Sequence, residues 1–124
     1  MPTKEQTRAK QIYALIVQAE QLPNKAAYGR LCLRLPFLIR ANGLCQTLAF
    51  LESKTKNEKP EFGQLIIDLA KVASGKTGIE YCGSARSAPT DVYMLMTREA
   101  LACAQWFKRY AEAVLKIDPT EDAT

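Results

Sequence analysis

Apolar residues recur at every third or fourth position along most of the chain, and this spacing places them on one face of an α-helix. The longest run starts at Thr90 or Asp91 and includes eight apolar positions up to Ile117, while the opposite face is largely charged. At about 1.5 Å per residue, a helix of about 26 residues in this place would be about 39 Å long. We expect this last helix to form the spine of the fold.

Four further helices are predicted before it, over approximately residues 4–22, 25–42, 44–54 and 61–73. Thr3 and Gln6 form a capping-box pattern at the start of the first helix. The pair Asn42-Gly43 is a stop signal at the end of the second. Pro36 falls inside the second helix, and we expect it to break or kink that helix because proline lacks the backbone N–H donor.

The helical spacing is lost between Ser74 and Pro89, where glycine and serine are frequent. We interpret this stretch as a long loop with one helical turn near Ile79–Tyr81. No segment alternates apolar and polar residues with the period of a strand. The pattern therefore predicts an all-α fold, a small single-domain helical bundle of about five to six helices over residues 1–117 with a long C-terminal helix. A flexible acidic tail is expected over residues 118–124.

The composition narrows the possible chemistry. The 124 residues include no histidine, which removes the usual general base near neutral pH, the commonest metal ligand and Ser-His or Cys-His nucleophile pairs. The four cysteines do not have the spacing of a metal site. We predict no catalytic residue, no metal and no cofactor. Cys32, Cys45 and Cys103 lie within apolar patterns and are expected in the core, whereas Cys82 is expected to be exposed in a loop.

The chain also lacks the features of a membrane or secreted protein. No apolar run approaches the length of about 20 residues that a membrane helix needs. The first ten residues carry four charges, and the apolar stretch behind them is too short for a signal peptide. We predict a cytoplasmic protein without a membrane contact.

Positive charge is concentrated in the middle of the chain, although the formal net charge is only +4. Seven basic and two acidic residues lie between Lys25 and Lys59, and Arg30 and Arg34 are one helical turn apart. A basic stripe on a helix is typical of phosphate binding, and arginine suits phosphate geometry. An ordinary solvated face is the alternative. The candidate phosphate-binding residues are Arg30, Arg34, Arg40, Lys54, Lys56, Arg98, Lys108 and Arg109.

Apolar residues also exceed what one small helical domain readily covers. Leu33 and Phe37 lie beside the arginines, and Phe50 follows on the third helix. A contiguous exposed apolar patch marks a protein partner, so we predict a protein interface at these three residues. Trp106 precedes Phe107 on the apolar side of the last helix and is expected to be largely buried.

One segment matches a relaxed phosphate-loop pattern, from Ala70 to Gly75-Lys76-Thr77. That motif works when a strand feeds the loop and a helix leaves it. Here a predicted helix precedes it and no strand does. A nucleotide-binding enzyme is therefore a weak alternative, and a helix end closed by Gly75 is favoured.

Two sequence blocks, in this order along the chain, resemble the small helical subunit of the Cmr (type III-B) CRISPR RNA-targeting complex. The first is Leu35-Pro36-x-x-Ile39-Arg40-x-Asn42-Gly43-Leu44-x-Gln46-x-Leu48-Ala49-Phe50-Leu51-x-Ser53-Lys54. The second is Tyr93-x-x-x-Thr97-x-Glu99-Ala100-Leu101 followed by Trp106-x-Lys108-Arg109-x-Ala111-Glu112.

The resemblance implies an all-helical, non-catalytic subunit of a ribonucleoprotein complex in antiviral defence. Such subunits stack into a short filament, contact the large subunit and other subunits of the complex, and line the channel where target RNA pairs with guide RNA. Self-association is one expected contact, and the guide RNA–target RNA duplex is another. The alternative is a helical adaptor that binds only protein and makes no contact with nucleic acid.

Overall fold

The computed structural model describes residues 1–55 and 59–120, and within them it contains six helices and no strand. The all-α prediction is therefore confirmed, as is the long C-terminal helix. The helices are α1 (Lys4–Ala19), α2 (Lys25–Asn42), α3 (Leu44–Thr55), α4 (Pro60–Ser74), α5 (Gly78–Ser87) and α6 (Thr90–Ala113).

Local sequence signals set several of the helix ends. At the start of α1, the Gln6 N–H donates to Thr3 Oγ1 at 3.0 Å and the Thr3 N–H donates to Gln6 Oε1 at 2.8 Å, which completes the predicted capping box. Helix α4 begins at Pro60, where the missing N–H costs nothing. It ends at Gly75, whose φ of 70° is left-handed and suits glycine.

The predicted break at Pro36 does not occur, because α2 continues through it to Asn42. The hydrogen bond that a residue at this position would donate to the Cys32 carbonyl is absent, since proline has no N–H. Pro36 is buried, and so are Leu35 and Leu38 on either side of it. Burial of apolar surface around the proline offsets the lost backbone bond and keeps the helix whole.

The stretch from Ser74 to Pro89 is not a long loop, and this prediction was wrong. It contains the ten-residue helix α5, which starts with a second capping box between Thr77 and Glu80. Its buried side consists of Tyr81, Cys82 and Ala85. The remaining positions of α5 include two glycines, two serines and an arginine, so the helical spacing of its apolar residues is hard to recognise in ten residues. The helix is stabilised by its N-terminal cap and by packing on α4 and α3.

The last helix ends at Ala113, four residues before the predicted end at Ile117. The chain then turns through Lys116, which has a φ of 57°, and the Ile117 N–H donates to the Ala111 carbonyl at 3.2 Å. Ile117 is buried against α2 at Gly29, where an added Cβ would lie 2.5 Å from Ile117 Cγ1. A larger residue at position 29 would therefore force Ile117 to move. Of the predicted tail, residues 118–120 are exposed and residues 121–124 lie outside the described part of the chain.

Helix α6 packs between α1 and α2, and α4 packs against all three of these helices. Helices α3 and α5 pack against α4 and against each other, so the fold has two layers. The buried core lies between the layers and contains the apolar faces of all six helices. We call α1, α6 and α2 the outer layer and α3, α4 and α5 the inner layer.

One polar network lies inside this core. Asp68 on α4 is buried, accepts a hydrogen bond from the Tyr28 hydroxyl at 2.5 Å and accepts another from the Gln64 amide at 2.9 Å. Burial raises the pKa of Asp68, while the hydrogen bonds from Tyr28 and Gln64 act in the opposite direction. The network joins α2 to α4 and leaves both buried polar groups satisfied.

The cysteines differ from the prediction at two positions. Cys32 and Cys103 are buried as expected, but Cys82 is also buried, because it lies on the inward side of α5 instead of in a loop. Burial raises the pKa of the Cys82 thiol, with the Glu52 carboxylate adding to the effect. Cys45 is only partly buried, so it is the most accessible thiol of the four.

A bidentate ion pair joins the first and last helices across the outer layer. Arg8 on α1 donates through Nε and Nη2 to the two carboxylate oxygens of Glu99 on α6, each at 2.6 Å. The side chains are 17% and 27% exposed, so water screens the pair only partly. The hydrogen bonds from Arg8 lower the pKa of Glu99, although burial opposes this shift.

We expect Glu99→Gln to lower the free energy of unfolding by about 1 kcal/mol or more at pH 7, because charge-assisted hydrogen bonds are stronger than neutral ones. The folded chain keeps Glu99 ionised to lower pH than the unfolded chain does. Its contribution is therefore complete above the ordinary glutamate pKa of about 4.3 and is lost as the pH falls through the lower folded value. Urea titrations of both proteins at several pH values should show the difference shrinking in acid. A difference independent of pH would contradict this account.

Candidate nucleic-acid interface

The two layers carry very different charges. Helices α1, α2 and α6 of the outer layer contain ten basic and four acidic residues, whereas helices α3, α4 and α5 contain three basic and four acidic residues. The sequence shows that the middle of the chain is basic. It does not show that the two layers differ in charge, because that difference depends on the packing of α6 beside α2. The positive potential of the protein is therefore concentrated on one side.

Helix α2 contributes three arginines and no acidic residue to the outer layer. Arg30 and Arg34 are one turn apart and partly buried, and Phe37 continues the same face. Arg40 is exposed and lies closer to the α6 side of the helix, the side on which Gly29 and Pro36 are buried. The arginines thus occupy the surface of α2 that points away from the core.

Helix α6 contributes a second set. Arg98 and Arg109 are both exposed, and their eleven-residue separation is close to three full turns, so they share one outward face about 16 Å apart along the axis. Lys108 is partly buried at the edge of this face. The opposite face of α6 carries the buried alanines and Phe107.

Helices α2 and α6 run antiparallel, which aligns their arginines. Gly29, near the start of α2, contacts Ile117, which lies just beyond the end of α6. At the other end of the pair, the Tyr93 hydroxyl near the start of α6 accepts a hydrogen bond from the Cys45 N–H, just beyond the end of α2. Arg40 therefore lies toward the same end as Arg98, and Arg30 lies toward the same end as Arg109. With packed helix axes about 8–10 Å apart, the four arginines mark the corners of one basic surface. We call these four residues the arginine surface.

The arginine surface is not used for internal contacts. Within residues 1–55 and 59–120, ion pairs are found at Arg8 with Glu99 and at Arg86 with Glu52, and none involves the arginine surface. None of its guanidinium groups makes a side-chain hydrogen bond to another described residue either. Arginines without an internal partner are available to bind an external anion.

The remaining basic candidates are placed differently. Lys54 lies at the end of α3 in the inner layer, with its Nζ 5.7 Å from the centre of the Phe50 ring, and it is partly buried there. The structure therefore does not bring Lys54 together with the arginine surface. Lys56 lies outside the described residues.

The three residues of the predicted protein interface also separate. Phe37 is 67% exposed, beside the arginines of α2. Leu33 packs against the core and is partly buried, and Phe50 is partly buried with its ring edge-to-face on Phe62 at 6.0 Å. Only Phe37 presents most of its side chain to solvent.

Trp106 is largely but not completely buried and packs against the core, which agrees with the prediction. Its indole N–H donates to Glu5 Oε1 at 3.1 Å in an exposed position, and its ring packs on Tyr110. The sequence places Trp106 at the edge of the apolar face of α6, and the edge is where α1 leaves it accessible. A structural role was the prediction for this residue, and its packing is consistent with that role, while a smaller part of its side chain stays exposed.

The segment that matches a phosphate loop is a helix end. Ser74 is the last residue of α4, Gly75 terminates it and Thr77 caps α5, and Lys76 is exposed with its Nζ 3.0 Å from Ser84 Oγ. The strand that the phosphate-loop mechanism needs is not there, since a described helix precedes the segment. In the described parts of the chain, no group of three or more His, Cys, Asp or Glu residues could hold a metal ion. No described helix is long and apolar enough to cross a membrane.

Comparisons with known proteins agree on one family. The sequence profile of the family described as CRISPR-associated protein (Cas_Cmr5) matches residues 4–114. The chain is 36% identical over 116 residues to the CRISPR system Cmr subunit Cmr5 of Thermus thermophilus, with 94% of this chain and 99% of that protein covered. A crystal structure of a CRISPR-associated Cmr5 family protein from Thermus thermophilus superimposes with a TM-score of 0.86, at 36% identity, over 93% of this chain and 99% of that one.

We expect the double substitution Arg40→Gln and Arg109→Gln to leave stability almost unchanged. Both side chains are exposed and unpaired, and such surface changes usually alter the free energy of unfolding by no more than about 0.5 kcal/mol each. Thermal and urea unfolding of the isolated chain provide the measurement. A loss comparable with that of Arg8→Gln, which breaks a bidentate pair, would show that these arginines have structural partners.

Proposed function

The chain belongs to the CRISPR-associated Cmr5 family, and on that basis we propose that it is a non-catalytic subunit of a Cmr complex that binds RNA through the arginine surface. The observation that carries this proposal is the set of four exposed or half-exposed arginines on two antiparallel helices, for which residues 1–55 and 59–120 provide no ion-pair partner. Phosphate is the anion that arginine clusters of this kind commonly bind.

The RNA we propose is the target strand paired with guide RNA. Phosphate contacts fix position without reading bases, so base pairing with the guide would supply the sequence specificity. Arginines at regular spacing on helix faces suit this role, because they can follow a regular RNA backbone along its length. In this proposal the chain supplies no group that cleaves RNA, and other subunits of the complex carry out the cleavage.

Repetition of the subunit would strengthen this weak binding. A few phosphate contacts give low affinity at physiological salt. If several copies stack along the complex, their arginine surfaces act on one strand, and the linked sites gain effective concentration. We therefore propose that the chain assembles beside copies of itself and other Cmr subunits, including the large subunit, and acts there as a cytoplasmic component of antiviral defence.

A role restricted to protein binding is the second candidate. The observation that favours it is Phe37, an exposed aromatic ring in the middle of the arginine face of α2. Aromatic and arginine side chains are both enriched at protein interfaces. The two candidates differ in what the arginine surface contacts, and RNA affinity of the assembled complex separates them.

In a reconstituted Cmr complex, Arg40→Gln with Arg109→Gln should weaken capture of every target RNA alike. Each lost phosphate contact should reduce the slope of log affinity against log salt by about one for each copy that contacts the strand. The positions of target cleavage should not change. Filter binding at several salt concentrations measures affinity and slope together.

Arg86→Gln is the matched control, because it removes an exposed arginine from the inner layer. It should leave the RNA affinity and its salt slope unchanged. If the double variant is incorporated normally and binds target RNA like the wild type, the arginine surface contacts protein instead of RNA.

Phe37→Ser tests the proposed protein contact. Because the ring is 67% exposed, its loss should leave the free energy of unfolding within about 0.5 kcal/mol of wild type, while incorporation into the complex should fall. Ile79→Ser is the control, since Ile79 is 87% exposed on α5 of the inner layer. Equal incorporation of the two variants in a quantitative pull-down would place the interface away from Phe37.

A further inference from the structure

Three aromatic rings form a row where α1 meets α6 in the outer layer. Tyr13 meets Tyr110 edge-to-face with ring centres 5.3 Å apart, and Trp106 lies 5.5 Å from Tyr110 at an interplanar angle of 31°. Tyr13 is 49% exposed, and the other two rings are partly exposed. The row therefore lies at the margin of the core: Trp106 and Tyr110 pack against the core, and Tyr13 is the most exposed of the three rings.

Trp106 also lines a cleft of about 310 Å³, and the other residues of the cleft are all polar. They are Glu5, Gln105 and Arg109. The Trp106 N–H donates to Glu5, which fixes the orientation of the indole plane. The cleft thus combines an oriented aromatic side chain with an amide, a carboxylate and a guanidinium group.

This combination suits a nucleobase better than a protein side chain. A base presents a flat face that stacks on an aromatic ring and an edge of donors and acceptors that amide and carboxylate groups can satisfy. Its phosphate needs a cation, and Arg109 belongs both to this cleft and to the arginine surface. The same residue therefore connects a site for a base with the proposed path of the RNA backbone.

We propose that the cleft beside Trp106 binds an unpaired nucleobase of RNA by stacking on the indole ring. This inference rests on the proposed function, because it assumes that RNA follows the arginine surface. It adds a contact to the base itself, where the arginine surface contacts only phosphates. The contact favours single-stranded or flipped-out nucleotides, since a base within a duplex cannot expose its face.

Intrinsic fluorescence can test this directly, because Trp106 is the single tryptophan of the chain. The isolated protein would be titrated at low salt with a short oligoadenylate, and in parallel with an abasic ribose-phosphate oligomer of the same length and charge. Stacking of a base on the indole should quench the tryptophan emission. We expect quenching by the oligoadenylate and little or none by the abasic oligomer, which should also bind several-fold more weakly.

Two variants separate stacking from packing. Binding of a labelled oligoadenylate should weaken about tenfold for Trp106→Leu, which removes the aromatic face. It should weaken much less for Trp106→Phe, which keeps an aromatic face but loses the N–H that donates to Glu5. Circular dichroism and urea unfolding would establish that both variants are folded, and equal loss of binding in the two would overturn the stacking role.

The outcomes also distinguish this inference from the proposed function. Equal binding of the oligoadenylate and the abasic oligomer, without selective quenching, would overturn base stacking and leave phosphate contacts intact. No fluorescence change with either oligomer at millimolar nucleotide and low salt would likewise overturn it, and the salt dependence of the assembled complex would still decide the phosphate contacts. Failure of Trp106→Leu to enter the complex, with oligomer binding unchanged, would assign the cleft to a protein partner.

Discussion

Close approach of α2 and α6 is the constraint on which the rest of the structure depends. It requires small residues where the helices and the following turn meet, and the buried face of α6 supplies them at Ala100, Ala104 and Ala111, all fully buried. Gly29 on α2 leaves space for the turn beyond α6, since a side chain at position 29 would collide with Ile117. The outer faces of α2 and α6 are consequently left side by side, and their charged residues form one surface.

Much of this fold follows from signals that are local in sequence. The capping box at Thr3, the stop at Gly43 and the spacing along α6 all predict the helices that are observed. Helix α5 could not be predicted in the same way, because ten residues with two glycines give too few apolar positions to define a period. Pro36 is a second case: the sequence predicts a break or a kink there, and the break does not occur, since Pro36, Leu35 and Leu38 are buried and α2 stays continuous. Both cases reflect tertiary packing, which a single sequence does not display.

Only part of the candidate site could be predicted from the sequence. Arginine spacing along α2 and α6 predicts two basic stripes, but whether they lie together depends on the antiparallel pairing of the helices. Lys54 has the right charge in the right sequence neighbourhood and still lies in the other layer, over Phe50. Trp106 has the spacing of a core residue, yet it stands at the margin of the contact with α1. Residues at the edge of an apolar stripe are the least predictable, because a shift of one neighbouring helix decides between burial and exposure.

The distribution of carboxylates contributes to the lack of ion-pair partners for the arginine surface among residues 1–55 and 59–120. Glu99 pairs with Arg8, Asp68 is enclosed with Tyr28, and Glu80 caps α5. Other acidic groups are also engaged: Glu5 accepts from Trp106, and Glu52 lies near Arg86. Of the four carboxylates on the outer-layer helices, Glu5 and Glu99 are thus engaged in structural contacts, Asp91 and Glu112 lie on α6, and α2 carries none of its own. Like charges on one surface repel one another and give nothing to the stability of the isolated chain. A polyanion on that surface would remove the repulsion, so an arrangement that contributes little to folding is compatible with the RNA contact proposed for it.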